Sequence, residues 1–288
     1  MPAPLAGDRL PARPATRLLV SVRDAREAAE AASAGAHIID AKDPARGALG
    51  AVGSEALAAI LDACPAGLET SAALGDLADL EAGAPDGGTH GAAPGPYSSA
   101  KGLGALTYVK VGLGGAPDPG DAERRMAWIV GQLGARVTPG RGAGASRAAD
   151  SRRAGDLEER PQHPGHKPRL IVACYADHRR AASPPPGEVP GLARRAGADG
   201  CLLDTAVKDG SCLFDWIGEA ELADFISACR RIGLLCALAG SLRAEHLPRL
   251  AALRPDLIGV RSAACDGDRV RGRVRAFRVA ALSRSLCA

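Results

Sequence analysis

The chain has 288 residues and a formal charge of +3, from 36 Lys and Arg against 33 Asp and Glu. That balance argues against a basic nucleic-acid surface, and with 3% aromatic residues there is little to stack bases on. No apolar run approaches the roughly 18 residues of a membrane span.

Residues 1–16, rich in Pro and lacking the apolar stretch of a signal peptide, read as a flexible N-terminal segment. Leu18–Val22 reads as a first strand. Asp24-Ala25-Arg26-Glu27 has the form of a capping box and opens a helix to about Ala34. Strands follow at His37–Ala41, Leu68–Ala72 and Tyr108–Gly112, with a Gly-, Ala- and Pro-rich stretch, Glu81–Gly104, before the last of these. Val137–Pro168 is richer still in Gly, Pro and charge. It holds too few apolar groups to offset the entropy of ordering, and predicts a disordered insertion between helix 4 and strand 5.

Leu170–Tyr175 and Gly200–Asp204 are the next strands. Glu221–Ile232 places Leu222, Phe225, Ile226, Cys229 and Ile232 on one helical face. Leu234–Ala239 is a seventh strand, and Ser241 is placed to cap a helix running through Leu247 toward Leu253, ahead of Pro255. Leu257–Val260 is the eighth. Most of these strands are continuously apolar, the pattern of parallel strands covered on both faces. Eight of them alternating with helices predict a single (β/α)8 TIM barrel over 17–288, interrupted at 137–168. A doubly wound open sheet is the alternative. Against it, Val20–Arg23 carries no GxGxxG fingerprint.

The eight cysteines lie mostly in apolar runs, and none has CxxC spacing. Reduced, buried thiols of a cytoplasmic protein are expected, without a metal site.

Only five of the 36 cationic residues are lysine: Lys42, Lys101, Lys110, Lys167 and Lys208. Lys101 and Lys167 fall in the polar stretches. Lys42, Lys110 and Lys208 lie at or just after the C-terminal parts of strands 2, 4 and 6, where barrel enzymes keep their reactive groups. Asp40 is two residues before Lys42 and shares its face of the strand. Asp204 ends strand 6. A guanidinium stays charged near neutral pH, whereas a primary amine can lose its proton and add to a carbonyl. Three clustered amines would lower one another's affinity for protons. The cluster therefore predicts one Schiff-base lysine and one acid/base lysine, with Asp40 and Asp204 carrying protons or orienting amines. Buried structural ion pairs are the bland alternative.

Gly240 and Ser241 after strand 7, with Arg261 and Ser262 after strand 8, form the kind of loop pair that holds phosphate in barrels. His37 reads as a packing residue. Asp76, Asp177 and His178 are weaker candidates for the cavity.

These stretches resemble a known family. Leu18–Val22, His37–Pro44, Gly47–Gly50, Tyr108–Leu113, Leu202–Gly210, Ala237–Ser241 and Gly259–Cys265 are similar to (5-formylfuran-3-yl)methyl phosphate synthase of methanofuran biosynthesis. The resemblance runs over Arg17–Gly134 and Arg169–Leu286. It implies a barrel enzyme that condenses two molecules of glyceraldehyde 3-phosphate, with loss of one phosphate and water, and that needs no metal or organic cofactor. It further implies that Lys42 is the Schiff-base lysine and Lys110 the proton acceptor, with Lys208, Asp40 and Asp204 as accompanying acid/base groups. The expected partner is a small phosphorylated aldehyde, not nucleic acid or membrane, and a homo-oligomer is compatible. A class I aldolase acting on another sugar phosphate would need the same residues.

Overall fold

A computed structural model describes residues 15–82, 103–137 and 167–287. The expected N-terminal segment at 1–16, the 137–168 insertion and Lys101 lie wholly or mostly outside the described residues. Eight parallel strands close into a barrel in chain order. They are β1 (Arg17–Val22), β2 (Ile38–Ala41), β3 (Glu69–Asp76), β4 (Tyr108–Gly112), β5 (Arg169–Tyr175), β6 (Gly200–Asp204), β7 (Leu235–Leu238) and β8 (Leu257–Val260). The helices are α1 (Ala25–Ser33), α2 (Ser54–Asp62), α3 (Leu77–Ala82), α4 (Pro119–Val137), α5 (Val189–Ala196), α6 (Glu219–Arg231), α7 (Leu247–Ala252) and α8 (Ala276–Cys287).

Strand alternation divides the core in two. Leu18, Val20, Val109, Val111, Cys201 and Leu203 face outward and are buried under the helices. Leu19, Ile38, Ala73, Tyr108, Ile171, Leu202, Leu235 and Leu257 fill the barrel interior. The seven cysteines with described side chains are unpaired thiols. Among the described residues, no helix is long and apolar enough to cross a membrane.

The strands are joined two by two at their N-terminal ends. His37, Thr107, Asp199 and Asp256 each precede an even-numbered strand, and each grips the backbone of the odd-numbered strand before it. Their N–H groups donate to the carbonyls of Leu18, Thr70, Leu170 and Cys236. Their side chains accept from the N–H groups of those same four residues, at 3.1, 3.3, 2.8 and 2.8 Å. This accounts for His37, whose Nδ1 belongs to the barrel's base.

That base is closed. The Arg17 guanidinium pairs with Glu69 and donates to the Tyr108 hydroxyl. Tyr108 in turn donates to Glu69 Oε1 at 3.0 Å, and Arg169 stacks over its ring.

Three local expectations change. β3 runs on to Asp76, because Ala73 and Leu74 continue its apolar run before a register shift against β4. The Asp24 side chain caps α1 by accepting from the Glu27 N–H, but the Glu27 carboxylate does not return to the Asp24 N–H as a capping box requires. It turns inward to Arg261. Ser241 does not cap a helix either. It has φ of 50°, in the left-handed region, and α7 begins only at Leu247 after a short 3-10 turn at Ala244–His246.

Candidate active site

Asp40 and Lys42 both project from β2 toward the interior, with Lys110 from β4 and Asp204 from β6. Lys110 Nζ lies 2.5 Å from Asp40 Oδ2. The strand between them, β3, faces the interior with the small side chains of Ser71 and Ala73, which leave room for that reach. Ser21, paired in register with Asp40, donates its hydroxyl to the same Oδ2 at 2.8 Å. Lys208 follows β6 by four residues, and its Nζ reaches back to Asp204 Oδ1 at 2.8 Å and to Thr205 Oγ1 at 3.0 Å. Two carboxylates thus take two ammonium groups.

Lys42 is the amine left over. It is 7% exposed, and its Nζ has no hydrogen bond or ion pair among the described residues. Burial is the main cause lowering its pKa to about 7, with the charges of Lys110 and Lys208 adding and those of Asp204 and Asp40 opposing. Burial alone would raise the carboxyl pKa of Asp40. The charges of Lys110 and Lys42, with hydrogen bonds from Lys110 and Ser21, hold it below the ordinary value instead. Asp204 is held down likewise by Lys208, Lys42 and the Thr205 N–H. With two carboxylates matched by two ammonium groups, a neutral Lys42 leaves the cluster without net charge. Such an amine carries a free lone pair near neutral pH.

Apart from Asp40, these groups line a cavity that opens at the C-terminal ends of the strands. Ser21, Lys42, Ser71, Lys110, Asp204 and Lys208 provide its polar wall, over Leu19, Tyr108, Ile171, Leu202 and Leu257. Two buried oxygens here, Asp40 Oδ1 and Ser71 Oγ, have no hydrogen-bond partner.

Gly240, Ser241, Arg261 and Ser262 all line the rim. Gly240 has φ of 110°, and a Cβ there would press on Thr205 and Leu213 at 3.2 Å, so the backbone turns where only glycine fits. The N–H groups of Ser241 and Leu242 make no hydrogen bond among the described residues. Arg261 is different from what its position suggested. Its guanidinium is buried and bidentate to Glu27, at 2.7 and 3.2 Å, and also donates to the carbonyls of Ser21 and Arg269. Its charge is neutralised inside the protein, so Arg261 braces the loop after β8. The arginine of the rim without a carboxylate partner is Arg269, which sequence reading passed over. It donates to the carbonyls of Pro44 and Gly47 in the loop that follows Lys42.

This barrel, its cluster of three lysines and two aspartates, and its rim all fall within one matched span. The family profile of 4-HFC-P synthase covers residues 18–283. The chain belongs to the 4-HFC-P synthase family. The (5-formylfuran-3-yl)methyl phosphate synthase of Methanopyrus kandleri is 36% identical over 274 residues, covering 94% of this chain and 98% of its own length. That of Methanocaldococcus jannaschii is 36% identical over 262 residues, covering 89% and 94%. At the level of fold alone, the phosphoribosyl anthranilate isomerase of Thermus thermophilus superposes with a TM-score of 0.53 at 14% identity, covering 94% of this chain and 98% of its own. The 4-HFC-P synthase family is one of enzymes, and this chain is a member enzyme.

In this member of the 4-HFC-P synthase family, the weaker candidates stand outside the cavity. Asp177 accepts from the N–H groups of Ala206 and Val207 at 2.6 and 3.0 Å, which fixes the turn that carries Lys208. Asp76 accepts from the Tyr175 hydroxyl at 2.5 Å and from the Gly114 N–H at 3.0 Å. Burial raises its pKa. His178 does not line the cavity, and its Nδ1 is buried without a partner.

Proposed function

We propose that this enzyme condenses two triose phosphates, glyceraldehyde 3-phosphate in the first instance, into (5-formylfuran-3-yl)methyl phosphate, with release of one phosphate and two waters. Lys42 is the amine that adds to the substrate aldehyde and forms the imine. The imine acidifies the neighbouring C–H, and the Asp40–Lys110 pair receives that proton. Lys208 and Asp204 deliver and remove protons at the hydroxyls lost as water. Gly240, Ser241 and Ser262 hold a phosphate at the rim, while Arg261 shapes their loop. Because phosphorylated trioses do not cross membranes unaided, the enzyme works in the cytoplasm.

One observation carries this reading: of three clustered lysines, Lys42 alone has no carboxylate within ion-pair distance, and burial lowers its pKa to about 7, so that the free amine is well populated near neutral pH. The test is incubation with glyceraldehyde 3-phosphate alone, followed by furan absorbance and phosphate assay, with borohydride trapping and peptide mass spectrometry in parallel. Furan, released phosphate and an adduct on Lys42 are expected. Aldol cleavage or condensation without furan would move the enzyme to the class I aldolases. An adduct on Lys110 or Lys208 would overturn the assignment of the amine.

A further inference from the structure

We infer that Arg269 holds the phosphate that leaves, and that it does so on the triose bound to Lys42. This rests on the function proposed above.

The product's own skeleton identifies that triose. Its carbons run from the formyl group through two ring carbons to the ring carbon that bears the CH2-phosphate, with one ring CH beyond. Divided into two unbranched three-carbon units, this skeleton can be cut in one way only. One unit is the formyl carbon and the two ring carbons after it. The other keeps its CH2-phosphate. The first unit has lost its phosphate, from the carbon farthest from the formyl group. Either triose brings an aldehyde that an amine can hold, but an imine at C1 acidifies C2–H and makes the phosphate on C3 a leaving group, and only the first unit loses its phosphate. The triose on Lys42 is therefore the one that gives up phosphate. Loss of its C2 proton converts the imine to an enamine. The nitrogen lone pair then re-forms C=N, a C2=C3 double bond forms, and the C3–O bond breaks with its electron pair passing to the phosphate.

Departing phosphate needs a cation that no carboxylate already neutralises. Lys110 and Lys208 are paired with Asp40 and Asp204, and Arg261 is paired with Glu27. Arg269 is half-buried and lines the cavity. It has no ion pair among the described residues, and two carbonyls occupy two of its five N–H donors. Those carbonyls, of Pro44 and Gly47, belong to the loop that leaves β2 directly after Lys42, so the guanidinium is tied to that loop and shares the cavity with Lys42. The remaining donors suit a phosphate dianion. Its own backbone is placed in turn, since its carbonyl accepts from Arg261 Nε at 2.8 Å. Two parts of the rim then divide the work: Gly240, Ser241 and Ser262 keep one phosphate, and Arg269 releases the other.

The experiment compares wild type, Arg269→Gln and Arg269→Lys. Three quantities are measured: the phosphate burst from glyceraldehyde 3-phosphate, inhibition by inorganic phosphate, and borohydride trapping of unphosphorylated glyceraldehyde on Lys42. Arg269→Gln is expected to slow phosphate release and weaken phosphate inhibition by about 10- to 100-fold. Arg269→Lys should recover part of both, and glyceraldehyde trapping should be unchanged in all three. Phosphate release and inhibition within twofold of wild type in Arg269→Gln would overturn the inference. So would an equal fall in glyceraldehyde trapping, which would make Arg269 only a tie between loops. If wild type makes no furan, the proposed function itself fails, which is a separate result.

Discussion

Lys110 Nζ lies 2.5 Å from Asp40 Oδ2, across a strand to which neither belongs. Asp40 is fully buried, and so nearly is Lys110. Removing one member of such a pair strands the other in a medium that solvates it poorly. Asp40→Asn is expected to cost about 3–5 kcal/mol of folding stability. The double variant Asp40→Asn/Lys110→Met should recover a large part of that loss. Urea titrations of the three proteins measure it, and equal stability of both single and double variants would show that the ion pair is not the cause.

Lys42 poses the opposite case, a buried amine with no carboxylate of its own. Lys42→Met should abolish borohydride trapping and lower furan formation on the order of 10^3-fold or more. It should also stabilise the fold, since it replaces a desolvated amine with an apolar side chain of similar length. The sign with pH follows from proton binding. The folded-state pKa is about 7 and the ordinary value 10.5, so between these the unfolded chain binds more protons. Wild-type stability attributable to Lys42 therefore rises from pH 7 toward pH 10. Lys42→Met should lack that rise, and the gap between the two proteins should narrow with pH.

The same group predicts the rate profile. Asp40 and Asp204 are held below ordinary carboxyl values and stay ionised throughout the working range. The acid limb of kcat/KM should therefore report the free amine and fall away below a pH of about 7. A limb lying wholly below pH 5 would place the control on another group.

Glu27 and Arg261 join α1 to the loop after β8. Glu27→Ala leaves a buried guanidinium uncompensated, at a cost of about 3–5 kcal/mol. The variant should show a lowered Tm, and its KM should rise through displacement of the rim. Glu27→Leu/Arg261→Met should regain stability without regaining KM, because the carbonyls of Ser21 and Arg269 then lose their donor. Full recovery of both would show that Arg261 has no part in placing the rim.

Much of the barrel is legible in local composition. Continuous apolar runs bounded by turn residues mark β4, β6 and β8 at the residues where they begin and end. Scarcity of lysine marks the three strands that carry amines. What local pattern does not contain is pairing. Asp40 and Lys42 share a face, but side chains two apart on a strand are about 7 Å apart along it. Asp40 meets Lys110, which is 70 positions away, because β3 is small there. Glu27 looks like a capping residue, since the partner that claims it lies near the other end of the chain. Arg269 sits in a polar run, Asp266–Arg273, that reads as solvated loop, and only barrel closure brings it beside the loop after Lys42. Ser21 and Ser71 carry no signal at all, as small polar residues in apolar strands.

The stopper of Arg17, Glu69 and Tyr108 has one more implication. With its lower end shut, the barrel is a cul-de-sac, and every molecule passes the same doorway in both directions. Arrivals and departures must take turns there. If the proposed reaction holds, occupancy of the doorway by one phosphorylated species should exclude the next, so free phosphate and finished product are expected to compete with incoming substrate.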